Sequence, residues 1–274
     1  MTEDYRDANR RLWNTWTALH QDSDFYNVAA VREGGSSLRS IEREELTDVA
    51  GKTLLHLQCH FGLDTLSWAR QGAIVTGVDL ADNSIALARA LSAELDLPAT
   101  FVCADILELP DALDGQFDIV FTSYGVLHWM RDLRRWAEVV AHFVKPGGIF
   151  YIVEDHPFMR ACSRDEHDEL KPDNSYFFTE EPWRFESRGS YAAPLGEDAP
   201  LNYGYNWDHS MGEIITVLAQ AGLHIEFLHE FTFHFREKFK GMVRREANHW
   251  YLTRQDGMIP LLFSLQARKP PTPA

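Results

Sequence analysis

Between Thr53 and Glu154, apolar runs of strand length alternate with segments whose apolar residues recur at helical spacing. The strand-like runs are Thr53–Cys59, Ala73–Val78, Thr100–Cys103, Phe117–Thr122 and Ile149–Glu154. The helix-like segments are Asp64–Arg70, Ser84–Leu95, for which Asp82–Ser84 offer capping side chains, and Leu133–Phe143. Strands separated by helices of this length predict an α/β fold with a doubly wound, parallel sheet.

The pattern differs on either side of this region. Residues 1–50 carry large apolar groups at helix-compatible positions, and residues 157–207 are rich in aromatics, Pro and Gly without clear periodicity. A segment as long as 157–207 is uncommon as a simple connection, so it is interpreted as an insertion. A helix at Met211–Gln220 and strands at Leu223–Phe231 and Ile259–Ala267 follow. We therefore predict four parts: an N-terminal helical lid segment (1–50), a core (51–156), an aromatic-rich insertion (157–207), and a C-terminal part that completes the sheet (208–270).

Composition narrows the class of protein. The chain has 274 residues, 45% of them hydrophobic, and no apolar run long enough for a membrane helix, so we expect a globular protein of the cytoplasm. Its formal net charge of −15 argues against a nucleic-acid partner, because phosphate backbones are bound largely through Lys and Arg. Cys59, Cys103 and Cys162 lack the spacing of a zinc site, and we expect reduced thiols, the first two as small hydrophobes in strands.

The residues that directly follow the predicted strands carry the chemistry, because ligands of open α/β sheets bind at the carboxyl ends of the strands. Asp79 ends the second strand and can accept hydrogen bonds from both hydroxyls of a ribose. Asp105 follows the third strand, where it can accept from the amine of a base that lies between Leu80 and Ile106. With the turn Gln58–Gly62 after the first strand, these positions predict an adenosine-type site.

At this point the chain resembles the class I S-adenosylmethionine-dependent methyltransferases. The resemblance rests on five segments, Leu54–Gly62, Gly77–Asp79, Ala104–Ile106, Phe117–Phe121 and Lys145–Gly148, and on the two closing strands. It implies a Rossmann-like, mostly parallel sheet with a final antiparallel strand, and S-adenosyl-L-methionine as the cofactor of the core. The cofactor-binding positions that it implies are Gln58, Cys59, His60, Gly62, Asp79, Leu80, Asp105, Ile106 and Ser123.

The first of these segments departs from the family. The usual pattern has an acid where His56 stands and glycines where Gln58 and His60 stand, and only Gly62 remains. Glycine matters there because it lacks a Cβ and lets the backbone approach the ligand. The side chains of Gln58 and His60 are therefore candidates to hold the methionine end of the cofactor. The alternatives are that His56 and His60 are ordinary strand and turn histidines, or that the site binds nothing.

Methyl transfer from a sulfonium needs a base only when the acceptor must lose a proton. His128, a few residues past the fourth strand, is the first candidate, and His156, at the end of the fifth strand, is the second. Either residue can instead have a packing role. Asp208, His209 and His224 match no standard ligand spacing, and we assign no metal.

The aromatic insertion is suited to a lid over a small apolar or aromatic methyl acceptor. It is equally compatible with a small structural subdomain or a homodimer surface. The alternatives to a small-molecule methyltransferase are an enzyme acting on RNA or protein and a non-catalytic adenosyl-cofactor-binding protein. A nicotinamide-dependent oxidoreductase requires a Gly-x-Gly-x-x-Gly fingerprint that Gln58–Gly62 does not supply.

Overall fold

A computed structural model describes residues 4–164, 170–246 and 249–272. Its main feature is a seven-stranded sheet in the order β3-β2-β1-β4-β5-β14-β10. The strands of this sheet are β1 (Thr53–Leu57), β2 (Ile74–Asp79), β3 (Ala99–Cys103), β4 (Phe117–Ser123), β5 (Val144–Asp155), β10 (His224–Phe231) and β14 (Leu262–Arg268). Strands β1 to β5 are parallel, whereas β14 runs antiparallel to both β5 and β10. The predicted Rossmann-like sheet with an antiparallel final strand is confirmed.

Helices cover both faces of this sheet. They are α1 (Tyr5–Gln21), α2 (Val28–Arg32), α3 (Ser40–Glu45), α4 (Leu63–Arg70), α5 (Asp82–Glu94), α6 (Leu133–Phe143), α7 (Pro157–Arg160) and α8 (Met211–Gln220), with 3-10 turns at Ile106–Asp111 and Leu127–Trp129. Alternate residues of a strand face opposite sides. Leu55 and Leu57 accordingly pack with Trp136 of α6 on one face, and Leu54 packs with Trp68 of α4 on the other.

Shorter strands lie outside the main sheet. They form two hairpins, β6 (Cys162–Arg164) with β7 (Leu170–Pro172) and β8 (Trp183–Ser187) with β9 (Asn202–Asn206), and a small sheet of β11 (Phe233–His234), β12 (Val243–Arg244) and β13 (Trp250–Tyr251). The insertion therefore contains regular hairpins where the sequence showed no period. Within the described ranges, no helix is long and apolar enough to cross a membrane.

Three local expectations need correction. The first strand ends at Leu57, before Cys59, because Gln58 adopts a left-handed backbone with φ of 56°. Helix α5 begins at Asp82 after Ala81, so Asp82–Ser84 lie inside the helix and do not cap it. Cys103 is exposed at the end of edge strand β3, and it is not a buried hydrophobe.

One charged cluster ties the amino ends of β1, β4 and β5 together. Asp118 accepts hydrogen bonds from Thr53 N–H (2.9 Å), the Thr53 hydroxyl (2.6 Å) and Lys145 Nζ (2.9 Å). Burial alone would raise the pKa of Asp118, but these bonds hold it at about 2. The Lys145–Gly148 segment thus fixes strands at the edge opposite to the strand ends that carry Asp79 and Ser123.

Gly77 allows β2 and β3 to pack closely, and we expect Gly77→Ala to destabilise the fold. An added Cβ would lie 2.7 Å from the ring of Phe101 and 2.9 Å from Cys59 Sγ. Overpacking of this kind costs about 1–3 kcal/mol, which urea denaturation would detect. Gly196→Ala is the control because its Cβ would meet nothing within 4 Å. Equal stability of the two variants would contradict this packing argument.

Candidate functional site

A cleft of about 1240 Å³ opens at the carboxyl ends of the parallel strands. It lies where β1 is flanked by β2 on one side and β4 on the other, which is where ligands bind in open α/β sheets. The following sequence-predicted site residues line it: Gln58, Cys59, His60, Gly62, Asp79, Leu80, Asp105, Ile106, Ser123 and His128. His156 is absent from this lining.

The turn after β1 has an unusual backbone. Gln58, His60 and Gly62 have φ of 56°, 51° and 79°. The left-handed conformation costs a residue with a Cβ roughly 1–2 kcal/mol, and such strain gathers at functional sites. Gly62 is also required by space, because a Cβ would lie 2.7 Å from the Phe101 ring. Gln58 and His60 therefore adopt a backbone conformation that favours glycine, although both carry a Cβ.

Asp79 holds this turn in place. Its Oδ2 accepts a hydrogen bond from His60 N–H (2.8 Å), and its Oδ1 accepts one from Ala81 N–H (2.9 Å). Burial raises the pKa of Asp79 to about 6, against the lowering effect of the backbone donors. A carboxylate offers about four acceptor positions, so capacity remains for ligand hydroxyls on the cleft side.

The His60 side chain connects the turn to helix α1. Its Nδ1 bonds to Ser84 Oγ (3.0 Å) and its Nε2 to His20 Nδ1 (2.8 Å), while Ser84 Oγ bonds to Thr17 Oγ1 (2.7 Å). Burial, and then the neighbouring His20, lower the pKa of His60, so the ring is neutral at pH 7. Both ring nitrogens are occupied, which leaves His60 without a free nitrogen for a ligand.

Gln58 has the opposite property. Its Nε2 donates to the carbonyl of Val126 (3.2 Å), and its Oε1 is buried with no hydrogen-bond partner within the described ranges. A buried acceptor without a partner costs about 1–3 kcal/mol, and native proteins usually satisfy such atoms. Gln58 also lines the cleft, so its Oε1 is a candidate acceptor for a donor on a bound ligand.

Asp105 lies at the other end of the same row of strand ends. Its Oδ1 accepts from Leu107 N–H (2.9 Å), and its Oδ2 lies 3.4 Å from Arg6 Nη1 of helix α1. Leu80 and Ile106 are the apolar residues beside it in the cleft lining. Helix α1 thus contacts the end of the cleft at which Asp105 lies.

The segment after β4 is held by Glu154, which sequence reasoning missed. The Glu154 carboxylate accepts from the backbone N–H groups of Gly125, Val126 (2.7 Å) and Leu127 (3.1 Å). Burial, followed by the charge of Asp155, raises the pKa of Glu154. An acid at the end of an otherwise apolar strand was the available signal, since a buried carboxylate must find donors.

His128 follows directly on this fixed segment. Its Nδ1 is buried and has no hydrogen-bond partner in the described part of the chain. Burial lowers the pKa of His128 well below its usual range, with a smaller contribution from Arg160. Its carbonyl accepts from Trp207 N–H (2.8 Å), so the end of the insertion is fixed to the same segment. Because its pKa is lowered, the His128 ring is a weaker base than a free imidazole, and its unprotonated nitrogen is the position that can accept a proton.

The His156 side chain is not directed into the cleft. Its Nε2 lies 2.8 Å from Glu230 Oε1, and its Nδ1 accepts from Phe158 N–H (3.0 Å). The preceding residue, Asp155, lines the cleft, where its carboxylate bonds to His234 Nε2 (2.9 Å) and Lys238 Nζ (2.5 Å). At the end of β5, the side chain that reaches the cleft is therefore Asp155.

Helix α1 and the insertion together form one wall of the cleft. Asn9 and Tyr205 exchange two hydrogen bonds of 2.9 Å, and Trp16 Nε1 donates to the carbonyl of Gly189 (2.6 Å). The hydroxyls of Tyr26 and Tyr191 also bond to each other. This wall is in contact with the segment after β4, because the rings of Trp13 and Trp129 lie 5.3 Å apart.

Comparison with known proteins agrees with this architecture. Residues 55–152 match a family model described as a methyltransferase domain. The ubiquinone biosynthesis O-methyltransferase of Chromobacterium violaceum is 35% identical over 100 residues, which are 36% of this chain and 43% of that relative. This chain therefore spans less than half the length of that curated relative.

Solved structures are similar over more of the chain. An S-adenosylmethionine-dependent methyltransferase from Mesorhizobium loti has a TM-score of 0.59 at 23% identity, covering 82% of this chain and 94% of that one. A second one, from Clostridium acetobutylicum, has a TM-score of 0.58 at 13% identity, with coverage of 94% and 99%. At these identities the likeness concerns the fold.

The role of Glu154 predicts the behaviour of Glu154→Gln. An amide has one acceptor oxygen and no charge, so the backbone N–H groups of Gly125, Val126 and Leu127 lose part of their bonding. We expect the free energy of unfolding to fall by about 1–3 kcal/mol, measured by urea denaturation. Glu44→Gln, at an exposed position, should leave it within about 0.5 kcal/mol of the parent. An unchanged stability of Glu154→Gln would show that these bonds do not hold the segment.

Proposed function

We propose that this chain, whose residues 55–152 match a methyltransferase domain, is an enzyme that transfers a methyl group from S-adenosylmethionine to a small apolar or aromatic molecule. The observation that carries the proposal is the Asp79 carboxylate. It ends β2 in the cleft, and it keeps acceptor capacity beyond its bonds to His60 and Ala81. This is the group that a ribose diol requires.

The cleft residues fit the cofactor. Asp79 would accept from the ribose hydroxyls, and Asp105 would accept from the adenine amine beside Leu80 and Ile106. The unpartnered Gln58 Oε1 would accept from the ammonium group of the methionine part. Cys59, His60, Gly62 and Ser123 would contribute the surrounding surface, with His60 acting through its backbone and its tie to α1.

The chemistry follows from positioning. When bound, the cofactor supplies an electrophilic methyl group on a positively charged sulfur. This chain must then hold the acceptor atom in line with that methyl group and exclude water, tasks for which the wall of α1 and the insertion is suited. His128 would take the proton of an acceptor that must lose one, because its imidazole is neutral and its Nδ1 is unpartnered. His156 has no part in this proposal, since Glu230 and Phe158 engage it.

The proposal also covers the chemical class of the acceptor, the oligomeric state, the location of the protein and its partners. Aromatic side chains in the cleft lining support an apolar or aromatic acceptor, as does the name of the Chromobacterium violaceum relative. Exposed Phe177 and Trp183 of the insertion support a homodimer, and free thiols support a cytoplasmic location. The net charge of −15 remains our argument against a nucleic-acid partner.

A transfer assay with tritiated S-adenosylmethionine tests the function directly. The protein is incubated with a pooled metabolite extract, with RNA, and with a protein extract, and label is counted in each fraction. We expect protein-dependent label in small organic products. Label confined to RNA or protein would replace the proposed acceptor class, and no label in any fraction would contradict catalysis.

The pKa of Asp79 predicts how cofactor-product affinity depends on pH. S-Adenosylhomocysteine should bind with constant affinity above pH 7 and about tenfold more weakly per pH unit below pH 6, because protonation removes the ribose acceptor. The raised folded-state pKa makes the native state take up its proton first, so this group stabilises the fold as the pH falls from 6 towards 4. Protonation of Asp79 therefore does not unfold the protein, and unfolding through this group cannot explain the weaker binding of S-adenosylhomocysteine below pH 6.

Tryptophan fluorescence titrations measure this profile. Asp79→Asn should bind weakly with a flat pH profile, whereas Asp111→Asn, at an exposed position, should behave like the parent. A parent profile without a change near pH 6 would refute the assignment of Asp79 to the ribose.

The role of His128 predicts a separation of rate from binding. His128→Ala should lower the rate of label transfer by about 100-fold or more, while the affinity for S-adenosylhomocysteine stays within about twofold. His142→Ala, on the exposed face of α6, is the control and should retain full rate. A His128→Ala enzyme with the parent rate would exclude His128 as the base.

A further inference from the structure

Two arginines line the cleft and form no direct ion pair with a described residue. Arg39, just before α3, and Arg236, just after β11, both line the cleft and are half-buried. Among the residues that the structure describes, neither guanidinium lies within 4.0 Å of a carboxylate or donates a side-chain hydrogen bond. A half-buried cation in a chain of net charge −15 would ordinarily form a direct ion pair, so the lack of one among the described residues points to a ligand.

The other cations at this end of the cleft are neutralised. Arg160 pairs with Asp208 (3.0 Å), and Lys238 pairs with Asp155 (2.5 Å). The Asp155 charge also acts on Arg236, but its two oxygens are bonded to His234 and Lys238. The other carboxylates at this end of the cleft form no ion pair with Arg39 or Arg236 among the described residues. Asp64 accepts from the hydroxyls of Ser37 (2.5 Å) and Ser123 (3.2 Å), and Glu180 and Glu181 are exposed.

Aromatic faces hold both guanidinium groups in position. The Arg39 guanidinium carbon lies 5.9 Å from the ring centre of Phe25 and 5.7 Å from that of Phe235. The corresponding distance from Arg236 to Tyr191 is 5.0 Å, and the rings of Phe25 and Tyr191 are themselves 5.6 Å apart. Contact with a ring uses the face of a guanidinium and leaves its N–H groups free to donate.

We propose that the methyl acceptor is a carboxylate-bearing molecule, whose anionic group is bound by Arg236 and Arg39 and whose apolar or aromatic body lies against the aromatic wall. This inference rests on the proposed function and specifies its substrate class. The planar fork of Arg donors matches the two oxygens of a carboxylate. The wall offers Trp16, Phe185 and Tyr191 as the surface for the body.

Matched acid and amide probes test this inference without knowledge of the true acceptor. Phenylacetate, 3-phenylpropionate and indole-3-acetate are titrated calorimetrically beside their primary amides, with and without S-adenosylhomocysteine. At least one acid should bind the parent protein about tenfold or more tighter than its amide, since only the acid can form charge-assisted bonds with both N–H donors of a guanidinium. If every acid-to-amide ratio is near one, including the case in which nothing binds, the inference is wrong.

Substitutions test whether the two arginines cause the preference for an acid over its amide. Arg236→Gln and Arg39→Gln should each reduce the acid-to-amide ratio, and the double variant should bring it close to one. Arg236→Lys keeps the charge and should retain a preference, and Arg134→Gln, whose side chain is 79% exposed, should match the parent. A ratio that survives in both single glutamine variants would overturn the assignment. The parent comparison stands even if one variant fails to fold.

The same titrations distinguish this inference from the proposed function. If S-adenosylhomocysteine binds but no acid is preferred, the carboxylate inference alone fails. If an acid is preferred but S-adenosylhomocysteine does not bind, the anion site stands and the methyltransferase proposal fails.

Discussion

The structure of the site depends on the hydrogen bond from His60 N–H to the Asp79 carboxylate. The turn after β1 places two residues with a Cβ in the left-handed region, and this hydrogen bond helps to stabilise that conformation. The same carboxylate faces the cleft, so the group that stabilises the turn is also the group that a ribose would need. Binding and local backbone geometry therefore share one residue. Gln58 and His60 hold a backbone conformation that favours glycine and add side chains to the turn.

Those side chains have separate tasks. The His60 ring ties the turn to α1 through Ser84 and His20, whereas Gln58 spans from the turn to Val126 and keeps one buried oxygen free. Glu154 fixes the opposite segment, from which His128 enters the cleft. Positions on β1, β4 and β5 are in this way connected to the helix and the insertion that close the cleft. A glycine-rich turn could not make these connections, because it has no side chains.

Periodicity was sufficient to predict the core, and two helices, Leu133–Phe143 and Met211–Gln220, have the predicted bounds. Each strand and helix of the core buries a regular set of positions, so its apolar residues recur with a period that can be recognised in the sequence. The hairpin of β8 and β9 was not predicted because its residues pack on α1, which is distant in sequence, and Trp183 is 54% exposed. At the site, the strand-end residues that line the cleft were predictable from topology. The roles of Glu154 and Asp155 and the orientation of His156 could not be predicted. They depend on the direction in which each side chain points at the end of β5.

The most direct test of this account is isothermal titration of S-adenosylhomocysteine into the parent protein and into Asp79→Ala at pH 7.5. We expect saturable binding at one site per chain in the parent, and a loss of affinity of about 100-fold or more in the variant, because two ribose hydroxyls lose a charged acceptor. Absence of heat from the parent at millimolar ligand would contradict the account, as would equal affinity of the two proteins.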